Sequence, residues 1–558
     1  MCRRSGLRWF SSLCLTIGLG LAGPANAQGT DRPRLVVVVS VDQFCQDYLI
    51  RFRDNFAAEG LVRQVDASGA AFANCHHRHA FTITAPGHSV QLTGAYPNTN
   101  GIIANNWFDR YSGKDVYCVG DSEESVVGAS GGKGVSPRNL QGSTVGDVLK
   151  LATGGKSKVL GVAIKDRAAI LMTGHLADGA YWLQDNYWVT SSYYRNDVPA
   201  YLRVLNEGQT INRFRGATWN LLLPKEKYRD SGPDENAFEN PPKGFDAAFP
   251  HPLLKKGEGT DDQFGDHVLF SPFGNDLTLE AARAIVLGED LGKDEYPDIL
   301  AINFSSNDYV GHAFGPYSLE VEDMTYRTDL QLGGFAKFLD EQVGLGKWMI
   351  AVTSDHGVAP IPEFAAAQRL PAKRNPLGPL KDARPKLEAA IRQQLGAPSA
   401  ADNPLVLQLS ENQVTLDRNH ALLQGEQFSL AQKAARNWLL AQPHVAAAAT
   451  RDDLLAGGSG KLHSQLQKAF NPHRSGDVLY VLAPYCMPGG GNTKGTTHGS
   501  PWHYDTHIPL LLFGCGIAPG HFDREVSPAA LASTIARLLN IDAPGGNVEE
   551  PLLEALAK

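Results

Sequence analysis

The chain has 558 residues, of which 43% are hydrophobic and 20% are charged. This composition is typical of a globular protein, and the length is sufficient to bury a large core. The 51 basic and 59 acidic residues give a formal net charge of −8, and no run of Lys and Arg is long enough to suggest a nucleic-acid-binding tract. A small anionic substrate would therefore have to be held by a local site.

The first 27 residues have the layout of a secretory signal peptide. Arginines without any acidic residue precede an apolar stretch over residues 9–23, and the small-x-small cleavage signal Ala25-Asn26-Ala27 follows. An uncleaved membrane anchor is the alternative, but the apolar stretch is short for one. We predict cleavage after Ala27, a catalytic chain of residues 28–558 with no stable membrane anchor, and a periplasmic or secreted location.

Five cysteines remain after the predicted cleavage, namely Cys45, Cys75, Cys118, Cys486 and Cys515. Export makes one or two disulfides possible. Because five is an odd number, at least one thiol is expected to be free or to pair between chains. The sequence determines neither the pairing nor the oligomeric state.

Apolar runs that suit strands buried on both faces recur along the chain, at residues 34–41, 159–164, 298–304, 348–353 and 507–513. Helical patterns alternate with them, at residues 145–153, 277–287, 321–341 and 528–539. This alternation predicts an α/β fold with a central, mainly parallel sheet flanked by helices. Residues 181–264 and 361–491 do not fit the alternation, and we interpret them as insertions that form a cap over the edge of the sheet.

Ionisable residues lie just past most of these strands, at the edge where open α/β sheets bind ligands. Four separate segments offer carboxylate or imidazole groups, and they are Asp42, Asp308 with His312, Asp355 with His356, and His498. Zinc takes such donors. Each element alone is more often a cap, a turn former or another structural residue. Three carboxylates and three imidazoles that converge at one edge, however, would be costly without a metal to hold them.

Other histidines compete for a place in this site. His503 and His507 are alternatives to His498 as the last ligand, but His507 opens an apolar run, which would place it at the entering end of a strand. His498 lies in a loop-like stretch that is better able to approach an ion, so we favour it. His88 could be a ligand or a general base, and we favour a structural, hydrogen-bonding role for it. The dense run His76, His77 and His79 is either a metal-binding tract or, as we favour, a loop or strand packed beside the site.

The segment Thr82-Ile-Thr84-Ala-Pro-Gly-His88 precedes a helix-like sequence. A threonine just before a helix is ordinarily an N-cap. The functional interpretation is that a metal lowers the pKa of the hydroxyl and makes it a nucleophile, while the helix N-terminus stabilises a bound phosphate. On this chemistry alone, Thr82 and Thr84 both remain candidates.

A phosphate clamp is suggested by Lys165 and Arg167, which follow a predicted strand. They are either a solvated charged turn or a pair of cations that bind phosphoryl oxygens, with Lys as a point charge and Arg as a planar fork. Asn105 is either a turn former or a neutral donor to the same oxygens.

Taken together, these segments resemble the alkaline phosphatase superfamily, and most closely the bacterial single-Thr phosphate-irrepressible alkaline phosphatases, which are relatives of the nucleotide pyrophosphatase/phosphodiesterases. The matching segments follow the family's order along nearly the whole mature chain, and they are Val41-Asp42, Thr84-Ala-Pro-Gly-His88, Gly101-Ile-Ile-Ala-Asn105, Ile164-Lys-Asp-Arg167, Asn307-Asp308 to His312, Ser354-Asp-His-Gly357, Thr497-His-Gly499 and Asp505-Thr-His-Ile-Pro509. The resemblance implies an alkaline-phosphatase-like sandwich with inserted cap regions. The chain has no Cys-x-Pro-x-Arg motif, which argues against a sulfatase.

The resemblance also implies two Zn²⁺ ions and a division of labour among the residues. One ion would be held by Asp308, His312 and His498, and the other by Asp42, Asp355, His356 and the Thr84 oxygen. The spacing of 21 residues between Thr84 and Asn105 is similar to the family's nucleophile-to-Asn spacing, which selects Thr84 over Thr82. A phosphothreonine would form on Thr84 and then be hydrolysed, while Lys165, Arg167 and Asn105 would hold the charge on the nonbridging oxygens.

Lys165 and Arg167 look like the pair that binds monoester oxygens in the phosphatases and that the diesterases generally lack. The resemblance therefore implies a phosphoric monoester hydrolase acting on small-molecule phosphate monoesters. A phosphodiesterase or nucleotide pyrophosphatase on the same core is the alternative, and a metal-stabilised binding protein without turnover is an alternative of another class. Manganese, cobalt or iron could occupy similar nitrogen and oxygen sites.

Overall fold

The computed structural model describes residues 32–398, 402–488 and 493–557. The predicted signal peptide, residues 1–27, lies outside the described residues. Within those ranges, no helix is both long enough and apolar enough to cross a membrane.

The strands and helices alternate along most of the chain. The strands are β1 (Leu35–Val41), β2 (Ala70–His76), β3 (Asn106–Asp109), β4 (Lys114–Tyr117), β5 (Val126–Val127), β6 (Val159–Ala163), β7 (Gly179–Gln184), β8 (Tyr187–Ser191), β9 (Thr218–Trp219), β10 (His251–Pro252), β11 (Asp298–Phe304), β12 (Trp348–Thr353), β13 (Lys373–Arg374), β14 (Val406–Leu409), β15 (Gln413–Leu416), β16 (Val445–Thr450), β17 (Val478–Leu482), β18 (Cys486–Met487), β19 (His507–Gly514) and β20 (Gly520–Phe522). The helices are α1 (Gln46–Arg51), α2 (Leu61–Ser68), α3 (Thr84–Thr93), α4 (Pro97–Asn100), α5 (Val145–Ala152), α6 (Asp166–Thr173), α7 (Ala200–Glu207), α8 (Asp261–Leu269), α9 (Phe273–Gly288), α10 (Ser306–Phe314), α11 (Leu319–Gln342), α12 (Pro362–Ala367), α13 (Leu380–Leu395), α14 (Glu426–Leu440), α15 (Arg451–Ala456), α16 (Lys461–Ala469), α17 (His503–Thr506) and α18 (Ala530–Leu539).

A ten-stranded sheet in the order β20-β2-β19-β12-β1-β11-β6-β7-β8-β5 forms the centre of the molecule. The five neighbouring strands β12, β1, β11, β6 and β7 run parallel. Their carboxyl ends therefore meet at one edge of the sheet. The predicted fold class, the five apolar strands and the four helical segments are confirmed, with boundaries that move by a few residues.

Both faces of the sheet are covered, which explains the continuous apolar runs. All seven residues of β1 are buried. Val37 and Val39 belong to one hydrophobic core with residues of α9 and α11, whereas Val36 and Val38 belong to a second core with residues of α5 and α18. Because successive side chains of a strand point to opposite faces of the sheet, alternate valines of β1 pack against the helices on opposite faces.

The expected cap insertion over residues 181–264 needs correction at its start. β7 pairs with β6 and β8 pairs with β7, so this part of the segment extends the central sheet. Asp185 and Asn186, both with positive φ, form the two-residue turn between β7 and β8. Such a turn suits the twist of a hairpin, and Asp and Asn tolerate the left-handed region. The hairpin signal was masked by the Trp- and Tyr-rich composition of the segment.

The second expected insertion, residues 361–491, contains a separate four-stranded sheet in the order β14-β15-β17-β16. Residues 399–401 and 489–491 of this insertion lie outside the described ranges. Leu387 of α13 and Ala435 of α14 are fully buried with Val414 and Tyr480 in a hydrophobic core of their own. This sheet with its two helices, which we call the cap sheet, faces the carboxyl edge of the central sheet, as the next section describes.

All five cysteines of the predicted mature chain are buried. Four of them are free thiols, namely Cys45, Cys75, Cys118 and Cys486. Burial raises the pKa of the Cys45 thiol to about 12. A thiol with such a pKa is a poor nucleophile at neutral pH.

Candidate active site

Asp308, His312 and His498 form one group of potential metal ligands. Asp308 and His312 lie one helical turn apart on α10, and their Oδ1 and Nε2 atoms are 3.2 Å apart. His498 comes from a distant loop, and its Nε2 lies 3.6 Å from the same carboxylate oxygen. The Nδ1 atoms of His312 and His498 donate to the carbonyl oxygens of Thr496 and Thr82, at 2.7 and 2.8 Å. Nε2 is therefore the ring nitrogen that faces the carboxylate in both residues, and although burial opposes it, Asp308 raises the pKa of His312.

A second group consists of Asp42, Asp355 and His356. Asp42 follows β1 and the other two follow β12, so two adjacent parallel strands deliver them to the same edge. His356 Nδ1 donates to the carbonyl of Gly357 at 2.9 Å. Its Nε2 then lies 3.1 Å from Asp355 Oδ2 and 3.5 Å from Asp42 Oδ1. Rings of His356 and His498 stack with centroids 3.4 Å apart, which joins the two groups.

The electrostatics of the two groups call for a cation. Burial and the neighbouring Asp355 carboxylate raise the pKa of Asp42 to about 7. Although burial opposes it, Asp355 raises the pKa of His356 to about 9. The buried oxygen Asp42 Oδ1 has no hydrogen-bond partner among the described residues, and Asp355 Oδ2 contacts two imidazoles, His356 Nε2 at 3.1 Å and His88 Nδ1 at 3.2 Å. Buried carboxylate oxygens beside imidazole Nε2 atoms are a donor set that fits divalent ions of the zinc class, and such an ion would take the place of the proton that Asp355 favours on His356.

Lys165 lies between the two groups. Its Nζ donates to Asp42 Oδ2 at 2.7 Å and to Asp308 Oδ2 at 2.6 Å, so it bridges one carboxylate of each group. Although burial opposes it, these two carboxylates raise the pKa of Lys165 well above its ordinary value. A charged ammonium at this point compensates part of the negative charge. The sequence did not anticipate this second role for Lys165.

Gln43 is a residue of the site that the sequence reasoning missed. Its backbone N–H donates to Asp355 Oδ1 at 3.2 Å, and its side-chain Nε2 donates to Asp308 Oδ1 at 2.6 Å. Gln43 therefore orients one carboxylate of each group. It has a φ of 63°, a left-handed conformation that is uncommon for glutamine. The only available signal was its position directly after Asp42, since a positive φ cannot be inferred for such a residue.

Thr84 is the first residue of α3, whereas Ile83 is the N-cap and makes no side-chain capping bond. The Thr84 hydroxyl is therefore not used as a helix cap. Its Oγ1 lies 3.4 Å from His356 Nε2. By contrast, Thr82 donates its hydroxyl to the carbonyl of Ser500 at 2.9 Å. Of the two threonines that the sequence left open, Thr84 is the one whose hydroxyl faces the second group.

Asn105 has its amide orientation fixed by the backbone. The N–H of Ala85, in the first turn of α3, donates to Asn105 Oδ1 at 2.9 Å. Because the Oδ1 atom accepts this bond, the amide NH₂ is the end that is left to donate. Arg167 lies in the first turn of α6, and its buried Nε has no hydrogen-bond partner within the described part of the chain. An unpaired buried donor of this kind costs about 1–3 kcal/mol unless a ligand satisfies it.

Thr84 and the first group of metal-type residues face a cleft of about 270 Å³, whereas Asp42, Asp355 and His356 are fully buried and are not among its lining residues. Its lining from the central sheet and nearby loops includes Thr84, Asn105, Arg167, Asp308, His312 and His498. The cap sheet and its neighbouring segments supply the opposite wall, which includes Glu411, Asn412, Tyr480, Leu482 and Met487. Lys165, only 6% exposed, and residues 181–264 are not among the described residues that line the cleft.

The remaining histidines considered from the sequence do not line the cleft, although His88 Nδ1 lies 3.2 Å from Asp355 Oδ2. His88 is fully buried; its Nδ1 donates to the Thr84 carbonyl at 2.8 Å, and its Nε2 accepts from Asn303 at 2.9 Å. His503 and His507 are not in the cleft. The argument that set His507 aside was wrong in one respect: β19 is antiparallel to β12, so the entering end of β19 lies at the carboxyl edge of the parallel strands.

Comparison with known proteins agrees with this geometry. The profile of the type I phosphodiesterase / nucleotide pyrophosphatase family matches residues 36–421. Alkaline phosphatase PhoV of Synechococcus elongatus is 33% identical over 98% of this chain and 99% of its own length. A protein of Myroides odoratus named as a calcium-transporting ATPase is 35% identical over 94% of this chain and 95% of its own length.

Alkaline phosphatase PafA of Elizabethkingia meningoseptica is 33% identical over 97% of each chain. The crystal structure of wild-type PafA superimposes with a TM-score of 0.86 and covers 94% of this chain and 99% of its own. The resemblance inferred from the sequence motifs is thereby confirmed. The chain belongs to the type I phosphodiesterase / nucleotide pyrophosphatase family of the alkaline phosphatase superfamily, and it is a phosphoryl hydrolase related over nearly its whole length to bacterial alkaline phosphatases.

Proposed function

We propose that this protein is a secreted, two-zinc alkaline phosphatase that hydrolyses small-molecule phosphate monoesters through a phosphothreonine intermediate on Thr84. The observation that carries the proposal is the position of the Thr84 hydroxyl. It lies against His356, at the wall of a cleft that also presents Asn105 and Arg167. Thr84, the first group of metal-type donors and two donors for phosphate oxygens thus share one cleft, and the second group is buried against Thr84 through His356.

The donor sets fit a pair of zinc ions, because each combines a buried carboxylate with an imidazole that can bind a metal in its neutral form. Asp308, His312 and His498 would hold one ion, and Asp42, Asp355, His356 and the Thr84 oxygen would hold the other. When bound, the ions would supply positive charge that lowers the pKa of the Thr84 hydroxyl and stabilises the departing oxygen. The backbone carbonyls that accept from each Nδ1 would keep the three Nε2 atoms directed at the ions.

In the first half of the reaction, Thr84 Oγ1 attacks the phosphorus atom. A phosphorus–oxygen bond forms to Thr84 while the bond from phosphorus to the ester oxygen breaks, and the alcohol leaves. Thr84 is at the first position of α3, so the positive end of the helix dipole favours the negative charge on its oxygen. In the second half, water attacks the same phosphorus atom, the bond to Thr84 breaks, and inorganic phosphate leaves.

The nonbridging oxygens would be held by the amide of Asn105 and the guanidinium of Arg167. Lys165 would act from between the two groups, where it also offsets carboxylate charge. A monoester dianion carries one more negative charge than a diester. Two cations beside the cleft therefore favour the monoester, and this supports the choice of substrate class.

A phosphodiesterase remains the second candidate, because the matching family profile is named for that activity. The deciding experiment compares kcat/KM for p-nitrophenyl phosphate and bis-p-nitrophenyl phosphate on the zinc-loaded chain of residues 28–558. The proposal predicts a monoester preference of at least about tenfold, or about 1.4 kcal/mol in the barrier. A clear preference for the diester would contradict it.

Two further measurements complete the test. Thr84→Ala should abolish hydrolysis, and an unchanged rate in this variant would favour a binding protein without turnover. The proposed secretion requires that the exported protein begin at Gln28, which N-terminal sequencing of periplasmic and medium fractions measures. A mature protein that retains residues 1–27 would overturn the proposed cleavage.

A further inference from the structure

A third group of metal-type side chains lies outside the cleft. One ring nitrogen from each of His76, His503 and His507 lies within 4.8 Å of the others. The proposed hydrolysis uses none of these residues. Within the parts of the chain that the structure describes, this is the one such group made only of histidines. We call it the histidine triad.

The backbone determines why these three rings meet. His76 ends β2 and stands opposite His507, the first residue of β19, in the antiparallel ladder. Directly opposed residues of such a ladder have Cβ atoms about 4.5–5.5 Å apart. His503 begins α17 and precedes His507 by four residues, which is one helical turn. A cross-strand pair and a helical spacing therefore bring three imidazoles to one point of the surface.

The rings contact one another closely. His76 and His507 stack with centroids 4.4 Å apart and planes at 10°. His503 lies edge-on to both, at 4.5 Å from His507 and 5.4 Å from His76. Burial and the two other rings lower the pKa of His76 to about 3, and burial also lowers the pKa of His507. Neutral imidazole is the form that binds metal ions.

Hydrogen bonds leave the same nitrogen of two rings available. His507 Nε2 donates to the carbonyl of Ala73 at 2.8 Å. His76 Nε2 donates to Asn74 Oδ1 at 3.0 Å, and Asn74 is oriented by its own donation to the Asp523 carbonyl at 3.2 Å. Since these oxygens only accept, both lone pairs are on Nδ1. An oxygen that holds the second ring N–H is the usual outer partner of a metal-binding histidine.

The Nδ1 atom of His76 is contacted only by a hydroxyl, since Thr506 Oγ1 lies 3.2 Å away. A hydroxyl can rotate away when a stronger partner arrives. His503 is exposed, which gives an ion a path of entry and leaves room for water as a fourth ligand. Three imidazoles with one open position match the ligand number of a tetrahedral zinc site, and the stacked rings of His76 and His507 would have to rotate for their in-plane lone pairs to meet at one ion.

We propose that His76, His503 and His507 bind a third divalent ion of the zinc class, with water as the remaining ligand. The ion would tie the end of β2 to the segment of residues 498–507. That segment is also held by Asp505, whose carboxylate accepts from the backbone N–H of Ser500 at 2.8 Å, and by Thr506, whose carbonyl accepts from His77 N–H at 3.0 Å. Because His498 begins the same segment, the third ion would stabilise the loop that carries a proposed cleft ligand.

The experiment counts zinc ions bound to the full mature chain. The protein is stripped with chelator, titrated with Zn²⁺ alone, dialysed, and analysed by plasma mass spectrometry. The variant His503→Ala with His507→Ala should retain one zinc equivalent fewer than the wild type. The matched control His473→Ala with His521→Ala removes two exposed histidines outside the triad and should retain the wild-type number.

Thermal unfolding gives a second readout that does not depend on hydrolysis. Zinc in excess of the cleft equivalents should raise the Tm of the wild type and of the control but not that of the triad variant. If the double variant does not fold, His503→Ala alone replaces it, since His503 is exposed. Equal zinc counts in wild type and triad variant would overturn the proposal. The triad variant and the control variant have the same cleft residues. If the two-zinc proposal failed, the zinc counts of both variants would fall together, whereas failure of the triad proposal would leave the two counts equal.

Discussion

Replacing Arg167 by alanine should lower monoester hydrolysis more than diester hydrolysis. Arg167 lines the cleft together with Thr84, and its buried Nε has no partner among the described residues. A guanidinium about 4 Å from a unit negative charge interacts by roughly 4 kcal/mol at an effective dielectric constant of about 20, and a dianion doubles this value. Because the side chain is partly exposed, screening reduces both values to roughly a third.

The expected losses are therefore about 2.8 kcal/mol for the monoester and about 1.4 kcal/mol for the diester, or about 100-fold and tenfold in kcat/KM. The assay compares p-nitrophenyl phosphate with bis-p-nitrophenyl phosphate on zinc-loaded wild type and variant. Arg167→Lys keeps the charge and should lose less monoester activity than Arg167→Ala. Bound zinc should be unchanged, since Arg167 belongs to neither group of metal-type residues. Equal losses for the two substrates would refute the reasoning.

Three other perturbations have defined outcomes. Asn105→Ala removes one donor to the phosphate oxygens, and kcat/KM for the monoester should fall about 100- to 1000-fold, measured by steady-state kinetics. Gly87→Ala places a Cβ 2.1 Å from the Asp355 carbonyl oxygen, so urea unfolding should show a loss of about 1–3 kcal/mol and activity should fall about 100-fold. Asp329 has a pKa raised by burial to about 7 from 3.8, so its contribution to stability is complete below pH 3.8 and is lost as the pH rises to about 7. As the pH rises through this range, the free energy of unfolding of Asp329→Asn should therefore increase relative to that of the wild type by up to about 4 kcal/mol. Urea titrations at several pH values measure this difference.

Each of these predictions has a contradicting result. For Asn105, a loss confined to KM would mean that the amide binds substrate and transition state equally. The matched control for Gly87 is Gly334→Ala at an exposed position of α11, where an added Cβ meets nothing within 4 Å, so stability should rise by up to about 1 kcal/mol at unchanged activity. Equal effects of the two glycine variants would refute the close-approach argument. For Asp329, parallel stability curves of variant and wild type would show that its pKa is not raised.

Much of the fold followed from local pattern. The valines of β1 and the apolar runs of β6, β11 and β12 are buried on both faces, so continuous apolar stretches identified them. The pairing of Asp308 with His312 followed from their helical spacing. The association of His498 with this pair joins distant segments, and periodicity contains no information about it. That assignment depended on family resemblance.

Other features depended on three-dimensional contacts that no local pattern encodes. Lys165 lies between the carboxylates of Asp42 and Asp308, because its long side chain can reach both negative charges. Gln43 reaches both groups because its backbone has a positive φ. The antiparallel direction of β19 brings His507 to the carboxyl edge, and the sequence did not specify that direction.

The most direct measurement of the central claim is the identification of the phosphorylated residue. The zinc-loaded enzyme is mixed with substrate carrying labelled phosphate, quenched in acid at several pH values, digested and analysed by mass spectrometry. The account predicts label on the peptide that contains Thr84, label on the corresponding peptide of Thr84→Ser, and none in Thr84→Ala. Label on another residue, or rapid turnover with no phosphoryl-enzyme at any pH, would contradict it.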